Sequence, residues 1–90
     1  KPTLDPFHKI AGSLRIDSIV AAMVSVSRSK AQRMIQDKKV FCNARQAEDP
    51  TLRIAAGDKI SVRGIGKFLF WETGLQTKSG KYHISFFQYR

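Results

Sequence analysis

Two amphipathic segments, separated by only three residues, constrain the fold of this chain more than any other feature. In the first segment the apolar residues recur at helical spacing and define one face: Ile16, Ile19, Val20, Met23 and Val24. In the second segment the same i, i+3, i+4 spacing is found at Ala31, Met34 and Ile35. Ser13 and Ser27 are suited to cap the two helices. A link as short as Ser25–Ser27 predicts that the helices pack as neighbours.

The rest of the chain has the composition of β-strands. Val40–Asn43 is rich in strand formers, Lys59–Arg63 alternates polar and apolar residues, and residues 51–55 are compatible with a short strand. Lys67–Glu72 and Tyr82–Tyr89 are rich in aromatic residues. We therefore predict an α+β fold in which two packed helices are followed by a small, mostly antiparallel sheet.

The aromatic strands leave one question open. Phe68 and Phe70 share one face of their strand, whereas Leu69 and Trp71 share the other. One of these pairs must be covered by something besides the sheet. Filling of the core is the favoured explanation, and stacking of nucleic-acid bases is the alternative.

The domain boundary is expected near residue 13. Residues 1–12 contain Pro2, Pro6 and Gly12 and show little periodicity, which indicates a linker or an arm. Residues 13–90 are then one domain with a C-terminal strand extension, because 90 residues suffice for a single small core. The first residue is Lys rather than Met, so the chain is compatible with a fragment or a processed form.

The charge balance points to a polyanionic partner. The chain has 16 Lys and Arg against 7 Asp and Glu, which gives a net charge of +9. The second helical segment, Ser27–Lys39, contains five of these cations and one acid, and the positive end of the helix dipole adds to its charge. Arg15 is a further candidate phosphate contact, and Asp17 is suited to hold either Arg15 or a nearby backbone amide. The alternative is that the cations only keep the helix soluble.

Other classes of function find little support in the sequence. The single cysteine, Cys42, excludes an internal disulfide, and with two histidines it argues against a structural zinc site. No phosphate loop or catalytic grouping is recognisable. The longest apolar run, Ile19–Val24, is six residues, far below the roughly 20 of a membrane span. We expect no cofactor, metal, small-molecule substrate or membrane, and neither catalysis nor secretion.

Several stretches together resemble the S4 RNA-binding domain: Ser13–Asp17, Ser27–Ala31, Ile35, Val40–Asn43 and Gly57–Asp58. Beyond them, Gly57–Phe68 and Thr77–Lys81 are similar to the C-terminal S4 domain of the YlmH family. The chain departs from the S4 pattern at Lys38, where the family usually has a helix-ending Gly, and at Cys42, where it usually has Val.

The resemblance implies the S4-like (alpha-L motif) fold and an RNA surface built from the start of the first helix, the second helix and the adjoining strand. By position, that surface comprises Arg15, Ser27, Arg28, Ser29, Lys30, Gln32, Arg33, Asn43 and Arg45. We add Lys38 and Lys39 at the end of the second helix. Arg63 and Lys67 flank a bend at Gly64–Gly66, where they either reach a second RNA backbone or are ordinary solvated residues.

The resemblance also implies a partner and a location. S4 domains bind structured RNA rather than DNA, and YlmH-like proteins act on large ribosomal subunits and peptidyl-tRNA in the rescue of stalled translation. A non-catalytic module that binds rRNA or tRNA, in a bacterial cytoplasm or an organelle, is therefore the leading hypothesis. Two alternatives remain: an RNA-targeting domain of an enzyme such as a pseudouridine synthase, and a basic patch for anionic lipid or an acidic protein.

Overall fold

The computed structural model describes residues 4–89, and in this range two helices pack against a six-stranded sheet. The helices are α1 (Ile16–Met23) and α2 (Arg28–Gln36). The strands are β1 (Leu4–Ala11), β2 (Val40–Cys42), β3 (Arg45–Gln46), β4 (Lys59–Val62), β5 (Gly66–Gln76) and β6 (Tyr82–Tyr89). The sheet order is β1-β6-β5-β4-β2-β3, and all neighbouring strands are antiparallel. The predicted α+β architecture is confirmed.

The predicted helical stripes form the core together with one face of the sheet. Ile16, Ile19 and Val20 of α1 are fully buried, as are the three apolar residues predicted for α2. The residues that meet them from the sheet are Val40, Ile60, Val62, Phe68, Phe70, Ile84 and Phe86. Alternation along β4 and β5 places every second side chain on this face, so the core is continuous from strand to strand.

The two helices begin in different ways. Ser27 caps α2 as predicted, since its Oγ accepts a hydrogen bond of 3.1 Å from the Lys30 amide. The prediction that Ser13 caps α1 is wrong, because the helix starts later, with Arg15 in the N-cap position. The free amides of its first turn instead donate to loop carbonyls, Ile16 to Leu52 at 2.7 Å and Asp17 to Pro50 at 3.2 Å. A side-chain cap is therefore not needed.

The N-terminal segment differs from the predicted linker or arm. Leu4–Ala11 is an edge strand that pairs with β6 along its whole length, from Leu4 opposite Tyr89 to Ala11 opposite Tyr82. Pro6 is tolerated because an edge strand needs only one set of ladder hydrogen bonds. Phe7 stacks on Phe86 with ring centroids 5.7 Å apart. Residues 1–3 of the predicted arm, Pro2 among them, and residue 90 lie outside the described range.

The short strand predicted at residues 51–55 is also absent. Arg53 forms only an isolated bridge with Arg15, and the Ile54 amide donates to the Leu14 carbonyl at 2.9 Å. The segment is a loop that is pinned to the start of α1. Its role is to satisfy the backbone there rather than to extend the sheet.

The structure shows which face of the aromatic strand β5 packs in the core. Phe68 and Phe70 are buried in the core, so core filling is confirmed for this pair. Trp71 is 54% exposed on the opposite side. A register shift between Phe70 and Glu72 marks a β-bulge at Trp71, whose ring meets Phe87 edge-on at 5.8 Å. One face of the sheet therefore carries aromatic residues that the helices do not cover.

The end of α2 retains the geometry of a glycine cap without the glycine. Lys38 has φ of 64°, in the left-handed region. Its amide donates to the Ile35 carbonyl at 3.1 Å, and the Lys39 amide donates to the Met34 carbonyl at 3.0 Å. These two bonds are those of a Schellman motif with Lys38 at the position that Gly usually occupies. Lys38 therefore ends α2 in the backbone conformation that a helix-ending Gly usually adopts.

Replacing Lys38 with Gly should raise the free energy of unfolding by about 1 kcal/mol, because Gly adopts a positive φ without steric cost. Chemical denaturation of the parent and the variant measures the difference. Lys39→Gly is the matched control, since it removes the same charge at a residue without positive φ and should give no gain. An equal gain from both variants would assign the effect to charge rather than to backbone strain.

Candidate nucleic-acid interface

A buried carboxylate organises the cations at the start of α1. Asp17 is 0% exposed and accepts hydrogen bonds from Arg15 Nε at 3.2 Å and Arg15 Nη2 at 2.7 Å. Gln32 Nε2 of α2 donates to the same carboxylate at 2.9 Å, and the Ser18 amide does so at 2.8 Å. The predicted pairing of Asp17 with Arg15 is confirmed. The carboxylate thus holds two of the predicted RNA contacts, Arg15 and Gln32, next to each other.

Ser18 plays the same part for Arg28. Its Oγ accepts from Arg28 Nη2 at 2.9 Å and from the Ser13 hydroxyl at 2.8 Å. A β-carbon at Gly12 would lie 3.2 Å from Arg28 Nη2, so a residue without a side chain leaves room for the guanidinium. The Arg28 guanidinium is therefore held against α1, although Arg28 as a whole is exposed.

Three further predicted residues face solvent on α2. Ser29, Lys30 and Arg33 are exposed and line one shallow depression. No other residue of the described range 4–89 forms a hydrogen bond or ion pair with the side chains of Lys30 and Arg33. Both cations are thus available to an external anion, and Lys30 lies in the first turn of α2, close to the positive end of the helix dipole. We call six residues, Arg15 before α1 and five residues of α2, the helical patch: Arg15, Arg28, Ser29, Lys30, Gln32 and Arg33.

The adjoining hairpin has a more structural role than predicted. Asn43 and Ala44 have φ of 53° and 69°, as a two-residue type I′ turn between β2 and β3 requires. The Asn43 side chain donates to Asp58 Oδ1 at 3.0 Å and accepts from the Lys59 amide at 3.0 Å. Its amide group is therefore occupied in holding the start of β4. Arg45, after the turn, is exposed.

The remaining predicted cations lie in two places. Lys38 and Lys39 are exposed at the end of α2, and the Arg63 amide donates to the Lys39 carbonyl at 2.7 Å, which brings Arg63 beside them. Lys67 instead lies on the uncovered face of the sheet, with Nζ 5.8 Å from the ring centroid of Tyr89. Arg63 and Lys67 both flank the glycine bend, but the Arg63 backbone bonds to Lys39, whereas the Lys67 ammonium lies beside the Tyr89 ring.

Sequence reasoning missed three contributors. Ser18 was not singled out, the contact of Gln32 with Asp17 was not foreseen, and Lys59 was taken only as an outward strand residue. Lys59 lines a groove together with Asn43 and Lys67. The strand alternation around Ile60 was the available signal, because it places Lys59 and Lys67 on the same side of the sheet.

Other kinds of site are not found in the part of the chain that the structure describes. Within residues 4–89 there is no group of three or more His, Cys, Asp or Glu side chains that could hold a metal ion. Among the same residues, neither helix has the length and apolar character of a membrane span. Burial and the nearby Asp58 carboxylate raise the pKa of the Cys42 thiol, which keeps it in its less reactive protonated form.

The acid–base behaviour of Asp17 follows from its contacts. Burial acts to raise the pKa of this carboxyl, but the hydrogen bonds from Gln32, Arg15 and the Ser18 amide, with the Arg15 charge, together hold the pKa below its ordinary value. A lowered pKa in the folded state means that the ionised group stabilises the fold above the ordinary pKa of about 4. That contribution is lost as the pH falls through the lowered value.

Asp17→Asn should therefore lower the free energy of unfolding at neutral pH by about 1 to 3 kcal/mol, because buried donors lose a charged acceptor. The difference between parent and variant should shrink as the pH falls below about 4. Denaturation at a series of pH values measures both effects. Asp37→Asn, at an exposed residue that ends α2, is the control and should show neither. A difference that stayed constant into acid would contradict this account of Asp17.

Comparison with known proteins agrees with this arrangement. The model of the S4 domain family matches residues 14–60, which include both helices, the β2–β3 hairpin and the start of β4. The ribosome-associated protein quality control protein P2 of Bacillus subtilis (strain 168) is 35% identical over 74 residues, which are 82% of this chain and 29% of that protein. The chain thus spans less than a third of the length of this relative. Both resemblances drawn from the sequence are confirmed, and the chain belongs to the S4 domain family.

Proposed function

We propose that this chain is a non-catalytic module that binds structured RNA through the helical patch. The observation that carries the proposal is the way in which its cations are held. Arg15 and Arg28 are fixed by Asp17 and Ser18, while Lys30 and Arg33 are exposed on α2 and line one depression. Cations that are fixed before binding lose less conformational entropy when they contact phosphate.

The patch suits the shape of duplex RNA. The deep, narrow major groove of A-form RNA hides its base edges, whereas its phosphates and its wide minor groove are accessible. Guanidinium groups match phosphate oxygens with two parallel hydrogen bonds. A patch of four cations, one side-chain amide and one hydroxyl therefore favours recognition of shape over recognition of sequence.

The hydrogen bonds of Asp17 support the proposal that the module is non-catalytic. Asp17 is the buried carboxylate that bonds to Arg15 and Gln32 of the helical patch, and four N–H donors occupy its oxygens. A general base needs a free lone pair directed at its substrate. Asp17 therefore acts by positioning cations rather than by moving protons.

The proposed partner is the RNA of the large ribosomal subunit, with or without tRNA. The support is the similarity to a ribosome-associated quality control protein, together with the charge of +9. We propose that this module contributes RNA affinity to a longer protein that acts in the rescue of stalled translation. Its place of action would then be the compartment in which those ribosomes work, the bacterial cytoplasm or an organelle.

The role of the helical patch is tested by a charge-matched pair of double variants. Lys30→Ala with Arg33→Ala should weaken binding of a structured RNA by about tenfold or more, because two phosphate contacts are lost. Lys78→Ala with Lys81→Ala removes the same charge from exposed residues around the β5–β6 loop and should change affinity little. Fluorescence anisotropy of labelled RNA measures both. If both double variants lost the same affinity, binding would reflect general electrostatic attraction and the proposed role of the helical patch would be wrong.

The salt dependence of the same binding is a second measurement. With about five phosphate contacts, the plot of log affinity against log salt should have a slope near −4, and the Lys30/Arg33 double variant should lower its magnitude by about 2. Affinity that did not change between low and physiological salt would contradict an electrostatic interface.

Association with ribosomes is tested by sedimentation. The chain should co-sediment with isolated large subunits, and more so when tRNA is bound, because a composite site raises the effective concentration of the second contact. The Lys30/Arg33 double variant should lose this association, and the Lys78/Lys81 double variant should retain it. If the chain bound free duplex RNA but did not associate with subunits, the proposed RNA interface would stand and the proposed ribosomal partner would be wrong.

A further inference from the structure

The face of the sheet opposite the helices carries an aromatic surface with cations around it. We call it the open sheet face and define it by eight residues: Phe41, Lys59, Ser61, Lys67, Leu69, Trp71, Phe87 and Tyr89. The strand register places them together, since Phe41 is opposite Ser61, Ser61 opposite Lys67, Lys59 opposite Leu69 and Leu69 opposite Phe87. These residues alternate with the core residues of the same strands.

The aromatic rings are only partly covered by one another. Trp71 is 54% exposed, and its contact with Phe87 is edge-on, with an interplanar angle of 70°. Leu69, Phe87 and Tyr89 are half-buried. An indole that lies on a sheet and touches its neighbour only by an edge leaves ring surface free to stack on a planar ligand.

The charges around these rings are mostly positive. Lys67 lies over the Tyr89 ring, and Lys59 shares a groove with Lys67 and Phe41. Asp58, at the start of β4, is held by hydrogen bonds from Asn43 and from the Ala55 amide. Glu72 follows Trp71 and is the one carboxylate next to the indole along the described part of β5. A planar ligand that carries negative charge therefore fits this face better than a neutral one.

We infer that the open sheet face binds unpaired RNA bases, which stack on Trp71, Phe87 and Tyr89 while Lys59 and Lys67 contact the phosphates between them. Aromatic residues interleaved with cations are typical of surfaces that bind single-stranded nucleic acid. Lysine is depleted from the cores of protein–protein interfaces, which disfavours a protein partner at Lys59 and Lys67. The inference rests on the proposed RNA-binding function and adds a second, different class of RNA to it.

A groove leads from the β2–β3 hairpin to the open sheet face. It is lined by Asn43 and Ala44 of the hairpin as well as by Lys59 and Lys67 of the sheet, so it connects the β2–β3 edge with the aromatic surface. From β2 to β6 the strand order is β2-β4-β5-β6, three spacings of about 4.8 Å or about 14 Å in all. That length accommodates two or three nucleotides, comparable to the bases that stack on a four-stranded RNA-binding sheet.

Trp71 provides a direct test because it is the only tryptophan of the chain. The probes are a blunt RNA hairpin and the same hairpin with a short single-stranded extension of adenosines and uridines. We expect the extended hairpin to quench Trp71 fluorescence on titration and the blunt hairpin to leave it unchanged, although both bind by anisotropy. Equal fluorescence responses to the two hairpins would overturn the inference.

Substitutions separate stacking from folding. Trp71→Ala should weaken binding of the extended hairpin by about tenfold and leave binding of the blunt hairpin unchanged, which also shows that the variant is folded. Trp71→Phe should restore most of the loss, because a ring is retained. Leu52→Ala, at an apolar residue that is 41% exposed outside the sheet, is the matched control and should affect neither hairpin.

The outcomes distinguish the two proposals. If the extended hairpin binds no more tightly than the blunt one and Trp71→Ala has no effect, the open sheet face is not an RNA site, and the RNA-binding function of the helical patch stands. If neither hairpin binds, both proposals fail. If Trp71→Ala weakens both hairpins equally, the effect is general and the assignment of unpaired bases is wrong.

Discussion

The fold and the candidate RNA surface both depend on the satisfaction of one buried negative charge. An isolated ionised carboxylate would be costly where Asp17 lies, and three side-chain N–H groups and one backbone amide offset that cost. The donors come from the residue before α1, from α1 itself and from the middle of α2. The contacts that satisfy the charge therefore join the two helices and fix Arg15 at their common end.

Strained backbone positions connect the elements around this centre. Ser25, Lys38, Asn43 and Ala44 have positive φ, and a residue with a side chain pays about 1 kcal/mol or more for that conformation. Neighbouring bonds hold each turn, such as the bond from the Val26 amide to the Ala21 carbonyl after α1. At Lys38 a favourable electrostatic interaction offsets part of the strain, because a cation is stabilised near the negative end of the α2 dipole. Lys38 also adds to the positive charge of Lys39 and Arg63.

The sequence predicted well those features that arise from local patterns. The stripes of α1 and α2, the Ser27 cap and the alternation in β4 are each contained in a short stretch, and each was confirmed. The strand β1 was missed because its partner is distant in sequence. His8, for example, bonds to His83, 75 residues away. Its proline and weak alternation gave no local sign of a strand, and only pairing with β6 makes it one.

The candidate site shows the same division between local and distant information. The cations of α2 could be placed from helical spacing, and Arg15 from its nearness to Asp17. The bond from Gln32 to Asp17 joins residues 15 apart on different helices, so it depends on how the helices pack. Arg63 and Lys67 were considered together because the glycine bend lies between them. The Arg63 amide bonds to the Lys39 carbonyl, while strand alternation places Lys67 on the open sheet face.

The relative placement of the two surfaces limits which RNA can use both. The helical patch lies on the helices and the open sheet face on the far side of the sheet, in a domain whose shortest dimension is 19 Å. Duplexes are stiff over the dimensions of this domain, since the persistence length of DNA is about 50 nm. A straight duplex therefore cannot bend around the β2–β3 edge. A single strand can, along the groove that begins at Asn43. An RNA that engages both surfaces must therefore change from duplex to single strand at the hairpin, or consist of two molecules that meet there. The first arrangement favours junctions of a folded RNA over uniform helices, because a junction presents both forms of RNA within the width of this domain.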